Sequence, residues 1–341
     1  MNLKKSQPSK LLKTKNLKFL LVQCSEYDYT VASLIEGLHE LKKIDKDIEF
    51  KCVDKSNYAN YYNDYTIKEE NIGEYLEGCD FIVTTSNRWV RYDIVQNFFN
   101  KKKIIFVDGA DTDNFQLDPN VFTLYFKREV LKSKIDKELK NIVPFPFAAE
   151  KRYFSKNIDK DNICDSFEKI WDNKTKDLCC LLSADANRSH RFLIKEAVNS
   201  VYSGKDYYIG ESVSGGTSTG IDSVVGKLHN DQYYNVLRDT KISVDAWGAG
   251  KWTGRLFESM ANCCLLFHQP LDDLCYQYEF IVDKDIIFYY NIDDLLVKID
   301  YYINNQKEAK DIAYNGFKKL LNYHTSLSRA KFFVNKLREF V

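Results

Sequence analysis

The sequence predicts two α/β domains, each a doubly wound parallel sheet with helices on both faces. Three observations carry this. Short apolar runs alternate with amphipathic stretches before residue 142 and again after residue 178, which places strands and helices in βα order. Two of the chain's five prolines, Pro144 and Pro146, fall together in Val143–Phe147 (VPFPF). Proline forces extended backbone and stops helices, so this string marks the domain boundary, with a linker over 143–155. The third observation is Lys241–Pro270 (KISVDAWGAGKWTGRLFESMANCCLLFHQP). It reads as strand, glycine loop, compact helix and second strand, the crossover that only a parallel sheet accommodates.

The first domain, 18–142, opens on an apolar strand, Lys18–Cys24, followed by a helix capped by Thr30 with Val31, Leu34, Ile35, Leu38 and Leu41 on its buried face. Ile48–Val53, Asp80–Thr85 and Lys103–Val107 supply further strands, with a helix around Tyr92–Asn100. The Tyr- and Asn-rich tract Ser56–Thr66 reads as a loop. Ligands of open α/β sheets bind outside the carboxyl ends of strands. The loops there are Ser25–Thr30 and the acid-rich Asp108–Asn114 (DGADTDN). Glu26 and Asp111 are thus candidates for a general base or an acceptor contact, although Asp/Gly turns of this kind also arise for backbone geometry alone.

The second domain, 156–325, begins with a helical stretch, Asp159–Trp171, and a strand, Leu178–Leu182. Behind that strand Arg188, His190 and Arg191 crowd a predicted helix start. Cations there oppose the helix dipole, so either a phosphate draws them or they form a solvated cluster. Tyr207–Gly210 is the next strand, followed by a Gly/Ser/Thr-rich loop, Ser212–Gly220. In Lys241–Pro270 the strand Lys241–Ala246 carries Asp245 near its end, and the second strand is Cys263–Phe267. The helix Thr253–Asn262 buries Leu256, Phe257, Met260 and Ala261 and presents Arg255, Glu258 and Asn262 beside the loop. Gly248, Gly250 and Gly254 allow close backbone approach to a ligand, and the N–H groups of a helix start suit a phosphate.

The string Gly-x-Gly-x-x-Thr-x-Arg-x-Phe-Glu, Gly248 to Glu258, resembles the donor half of type-B (GT-B) glycosyltransferases, in particular the group-1-like set with spore-coat and exostosin-like enzymes. Tyr233–Asp245, Leu295–Ala330 and the Pro-Phe-Ala-Ala string at 146–149 are similar to the same family. The resemblance implies two Rossmann-like domains facing a central cleft, with a C-terminal helix, 326–341, returning to the first. It implies an enzyme that moves a sugar from a nucleotide-diphosphate sugar to a glycan or other hydroxyl acceptor, with no cofactor. The loop's cations and helix N-terminus remove the need for a metal, and the Asp-x-Asp string Asp111–Asp113 in the first domain reads as acceptor-side or structural. The donor-binding residues it implies are Gly248, Gly250, Lys251, Thr253, Arg255, Glu258, Arg188 and Arg191. One departure stands out: where many members place the first of two paired glutamates, this chain has Lys251. The alternatives are a nucleotide-sugar-binding module without turnover and an NAD(P)-dependent oxidoreductase.

Composition narrows these classes. Forty-nine basic and forty-nine acidic residues balance, which gives nucleic acid no bulk electrostatic attraction. No apolar run nears the roughly 20 residues of a membrane span. Nine scattered cysteines without metal-ligand spacing read as buried thiols in a reducing, cytoplasmic setting. Met1–Leu17 has five lysines, no acid and no apolar segment, so it reads as a disordered basic tail rather than a signal peptide. The glycine spacing departs from a dinucleotide fingerprint, no Ser or Thr follows Gly250–Lys251 as a Walker A loop requires, and no Gly-x-Ser-x-Gly elbow supports a hydrolase.

Overall fold

The computed structural model describes residues 16–22, 28–53, 66–67, 71–86, 103–135, 140–155, 158–159, 161–183, 188–204, 206–210 and 230–341. The helix predicted around 92–100, the loop 212–220, Glu26 and nearly all of the Tyr/Asn tract lie outside these residues. The chain divides into two compact units. The first comprises Met1–Ala148, Asp273–Gln277 and Tyr323–Val341; the second comprises Ala149–Asp272 and Tyr278–Asn322.

In the first unit β1 (Leu17–Val22), β2 (Ile48–Val53), β3 (Thr66–Ile67), β4 (Phe81–Ser86), β5 (Lys103–Asp108), β6 (Leu124–Lys127) and β7 (Ile142–Pro144) form one parallel sheet. Its order is β3-β2-β1-β4-β5-β6-β7. The order reverses beside β1, as doubly wound sheets do. Helix α1 (Tyr29–Ile44) packs on one face of this sheet and α2 (Ile72–Glu77) on the other. Thr30 does not cap α1. Asp28 does, its carboxylate accepting the N–H groups of Thr30 and Val31 at 2.7 and 3.1 Å, because a carboxylate satisfies two orphan donors where a hydroxyl satisfies one. Val143 and Pro144 are strand rather than linker residues. Their strand is an edge, where a missing proline N–H breaks no ladder.

The second unit holds β8 (Lys176–Leu181), β9 (Tyr207–Gly210), β10 (Thr240–Val244), β11 (Leu265–His268) and β12 (Ile287–Phe288), again all parallel. Their order, β12-β11-β10-β8-β9, reverses between β8 and β10. One face is covered by α3 (Ile163–Asp172), α4 (Ser189–Val201), α7 (Ile292–Asn304) and α8 (Gln306–Tyr323); α5 (Asn230–Asp239) covers the other. The glycine-loop helix is α6 (Gly254–Ala261), with Leu256, Phe257, Met260 and Ala261 buried as their spacing predicts. Asn262, expected on the open face, is instead fully buried and donates to Tyr153 O at 2.8 Å. β11 starts two residues later than predicted. Cys263 takes a left-handed conformation (φ 59°), Cys263 N–H reaches Met260 O, and Cys264 N–H reaches Ser259 O, closing α6 with a Schellman turn. Lys174 is buried and donates to the carbonyls of Leu237, Thr240 and Asn262 at 2.9, 2.8 and 2.8 Å, neutralising the C-terminal ends of α5 and α6 together.

The last helix, α9 (Ser326–Arg338), belongs to the first unit and packs on α1. The contact is so close that a Cβ on Gly37 would stand 2.0 Å from Ser326 O and 2.8 Å from Ala330 Cβ. Gly37→Ala therefore gains helix propensity yet forces the two helices apart. We expect a net loss of about 1–3 kcal/mol, measured by urea denaturation of the variant beside the parent.

Candidate functional site

The reversal between β8 and β10 is the switch point at which an open α/β sheet binds ligands. Parts of two segments flagged in the sequence meet there: the start of α4, with His190 and Arg191, and the glycine loop after β10. The hub is Asp245, fully buried one residue past β10. Its N–H donates to Phe267 O at 2.8 Å, so it still lies in the sheet. Its carboxylate accepts Ala246 N at 2.8 Å and the Thr253 hydroxyl. Arg255 Nη1 and His268 Nε2 stand 3.6 and 3.5 Å from its two oxygens. Thr253 in turn caps α6 through Leu256 N. One carboxylate thus joins the strand end, the far side of the loop and the helix start.

Arg191 secures the near side. Its guanidinium is buried and donates to Trp247 O at 2.7 Å, Ala246 O at 2.6 Å and Ser183 O at 3.5 Å. Burial pushes its pKa down to about 10, which leaves it charged at neutral pH. His190 Nε2 meets the same Trp247 carbonyl at 3.0 Å. A Cβ on Gly248 would lie 3.4 Å from Arg191 Nη2, in ordinary van der Waals contact. Arg191 was predicted to contact a donor; the structure spends its donors on loop backbone. Arg188 is the N-cap of α4, and the Lys251 ammonium lies 4.7 Å from the Trp247 ring centroid; both side chains are half-buried.

Glu258 is half-buried on the first turns of α6. It accepts the Tyr233 hydroxyl at 2.7 Å and the Tyr234 hydroxyl at 3.3 Å, both from α5. Arg255 Nε donates to the same Tyr233 oxygen at 3.2 Å. Burial raises the Glu258 carboxyl above its usual range, and Tyr233 and Arg255 pull part of that back. Tyr234 stacks on Tyr153 (centroids 6.2 Å, 27° between planes), whose hydroxyl donates to Glu150. Sequence reasoning missed Asp245 as a hub, as well as His268, the Tyr233–Tyr234 pair and Glu150. The signals present were an acid closing a strand eight residues before a threonine and an adjacent aromatic pair on the preceding helix.

In the first unit the acid-rich loop turns inward on itself. Asp108 is fully buried, accepting Tyr125 Oη, Lys127 Nζ at 3.1 Å and the N–H groups of Ala110 and Gln116. Asp111 pairs with Arg128, and Asp113 with Lys134 at 2.6 Å. Among the described residues no group of three His, Cys, Asp or Glu side chains gathers as a metal-binding cluster.

A family model described as glycosyl transferase-like matches residues 188–335. No curated protein matches the chain. Among solved structures it is similar to a glycosyltransferase from Rickettsia africae, with a TM-score of 0.65 at 12% identity over 95% of this chain and 98% of that one. It is also similar to Anabaena HepE in complex with UDP and glucose, with a TM-score of 0.59 at 8% identity over 95% and 100%. An alpha-glucosyltransferase bound to UDP and DNA gives 0.54 at 9% identity over 95% and 100%. These likenesses show a GT-B fold.

The hub has a measurable cost of removal. Asp245→Ala strands Arg255 and Thr253 and unties the loop from the sheet. We expect a loss of about 3–5 kcal/mol, the range for breaking a buried ionic contact from one side, with chemical denaturation as the check.

Proposed function

We propose that the chain is a glycosyltransferase that moves a sugar from a nucleoside-diphosphate sugar to the hydroxyl of a glycan or similar acceptor. The observation that carries this is the glycine loop at the switch point, opening a helix whose first turns present Arg255 and Glu258. The backbone N–H groups of that loop and helix start receive the diphosphate. As the sugar–phosphate bond breaks, negative charge grows on the leaving diphosphate while the anomeric carbon turns positive. On this reading Lys251 and Arg188 meet that negative charge, Arg255 adds its field, and the pre-set loop spends no energy reorganising. Glu258 accepts the ribose hydroxyls. HepE and the alpha-glucosyltransferase both bind UDP, which makes UDP the first nucleotide to test.

Cations and backbone donors at the loop do the work a divalent ion would do, and on that ground the reaction proceeds without metal. The acceptor is a hydroxyl compound rather than nucleic acid, in keeping with the balanced charge. The setting is cytoplasmic. No helix among the described residues is long and apolar enough to cross a membrane. Lys251 in place of a family glutamate favours one second reading, a module that binds the donor without turning it over. Binding of UDP without consumption of any UDP-sugar would select it.

Two outcomes follow. Glu258→Gln weakens nucleoside-diphosphate binding about ten- to a hundredfold, the worth of one charge-assisted hydrogen bond at roughly 1.5–3 kcal/mol, and leaves the unliganded melting temperature nearly unchanged. Calorimetric titration of both forms decides this; equal affinities would remove Glu258 from the donor site. Transfer measured with EDTA equals transfer without it. Loss of activity restored by manganese would overturn metal independence.

A further inference from the structure

Two adjacent tyrosines on α5 place their hydroxyls on the two oxygens of one carboxylate. Tyr233 donates to Glu258 Oε2 at 2.7 Å and Tyr234 to Oε1 at 3.3 Å. Tyr233 also accepts Arg255 Nε at 3.2 Å. The polarity of this bridge is forced. A guanidinium has no acceptor and an ionised carboxylate has no donor, so the single phenol proton must go to Glu258 and a lone pair to Arg255. Arg255 and Glu258 lie three apart on α6, the spacing at which opposite charges pair directly across a helix turn. The phenol oxygen bonds to both and stands in for that direct pair.

The bridge is anchored from behind. Tyr233 is buried, with its ring edge-on to Tyr234 at 5.3 Å. Tyr234 stacks on Tyr153, and the Tyr153 hydroxyl donates to Glu150. Burying two phenols against one acid costs desolvation that a plain apolar contact would avoid.

We infer that Tyr233 is a positioning residue of the donor site, keeping Arg255 and Glu258 apart and aiming the Glu258 carboxylate outward as an acceptor. This rests on the reading of Glu258 as the ribose contact. Each Glu258 oxygen takes one phenol proton and keeps a second lone pair, so two acceptor directions remain for two neighbouring hydroxyls. Without the Tyr233 hydroxyl, Glu258 Oε2 loses the donor that fixes its direction and Arg255 Nε loses its acceptor.

The charged and titratable groups facing Glu258 are Arg255 on its own helix, Tyr233 and Tyr234 on α5, and Arg152 with Glu150 and Tyr153 from the segment that starts the unit. Burial raises the Glu258 pKa, while the Tyr233 bond, Arg255 and Arg152 lower it. Removing the Tyr233 hydroxyl therefore raises it further. Ribose binding needs the ionised acid, so binding fades as pH falls, and in Tyr233→Phe the fade begins at higher pH.

The test is calorimetric titration of wild type, Tyr233→Phe, Glu258→Gln and the double variant across pH, using the tightest binder among UDP, GDP, ADP and CDP. Tyr233→Phe keeps the ring and with it the packing. We expect it to weaken binding about tenfold at neutral pH, to move the acidic limb upward, and to add nothing once Glu258→Gln is present. Independent losses that multiply, or an unchanged Tyr233→Phe beside a weakened Glu258→Gln, overturn the role of Tyr233 and leave the glycosyltransferase reading intact. Glu258→Gln binding as tightly as wild type removes the ribose contact and Tyr233 with it.

Discussion

The second unit depends on a buried negative charge at the end of β10. A carboxylate at zero exposure costs several kcal/mol unless hydrogen bonds and nearby cations repay it. Asp245 is repaid from every side. Its side chain accepts Ala246 N and Thr253 Oγ1, with the Arg255 guanidinium at 3.6 Å and the His268 imidazole at 3.5 Å. Its own carbonyl accepts Tyr289 Oη at 2.8 Å. His268 ends β11, Tyr289 follows β12 and Thr253 starts α6. Three strand ends and one helix start are therefore fixed by one residue, and the glycine loop is the chain left between those fixed points.

How much of this was legible in the sequence depends on whether the signal was local. Strand, loop and helix were readable because Leu256, Phe257 and Met260 repeat at helical spacing and glycine marks the loop. The family string at 248–258 was readable for the same reason. The contacts that give the loop its shape were not. Arg191 meets Ala246 O across 55 positions, and Tyr233 meets Glu258 across 25. Side-chain bonds over such distances leave no period or spacing behind. Local ambiguity accounts for the remaining misses. Asp28 and Thr30 are both good caps two residues apart, and only the structure shows which side chain turns inward. A buried cysteine at φ 59° could not be told from the first residue of the strand it precedes.

Both units place an acid where a strand ends at the carboxyl edge of its sheet, and the two acids resemble each other more than their sequence contexts do. Asp108 closes β5 and is saturated by Tyr125, Lys127 and two backbone N–H groups. The run of acids that looked most like chemistry in the sequence, DGADTD, is thus spent on turn geometry and surface pairing. Its glycine has the same origin. A Cβ at Gly109 would fall 1.8 Å from Asp28 Oδ2, so the backbone there must pass a cap residue with no side chain between.

This contrast supplies a physical criterion for separating holding residues from contacting ones. A carboxylate accepts about four hydrogen bonds. Asp108 receives its bonds in a fully buried setting that admits no ligand. Asp245 is equally buried, so its charge acts on other parts of the protein. Glu258 differs in kind: it is half-buried and takes one phenol proton on each oxygen. Spare acceptor capacity together with partial exposure is what a ligand contact needs, and within the loop and helix Glu258 combines them. Among the described acids of the loop and helix, the one isolated in sequence, with no acidic neighbour to draw notice, is the one that keeps spare acceptor capacity.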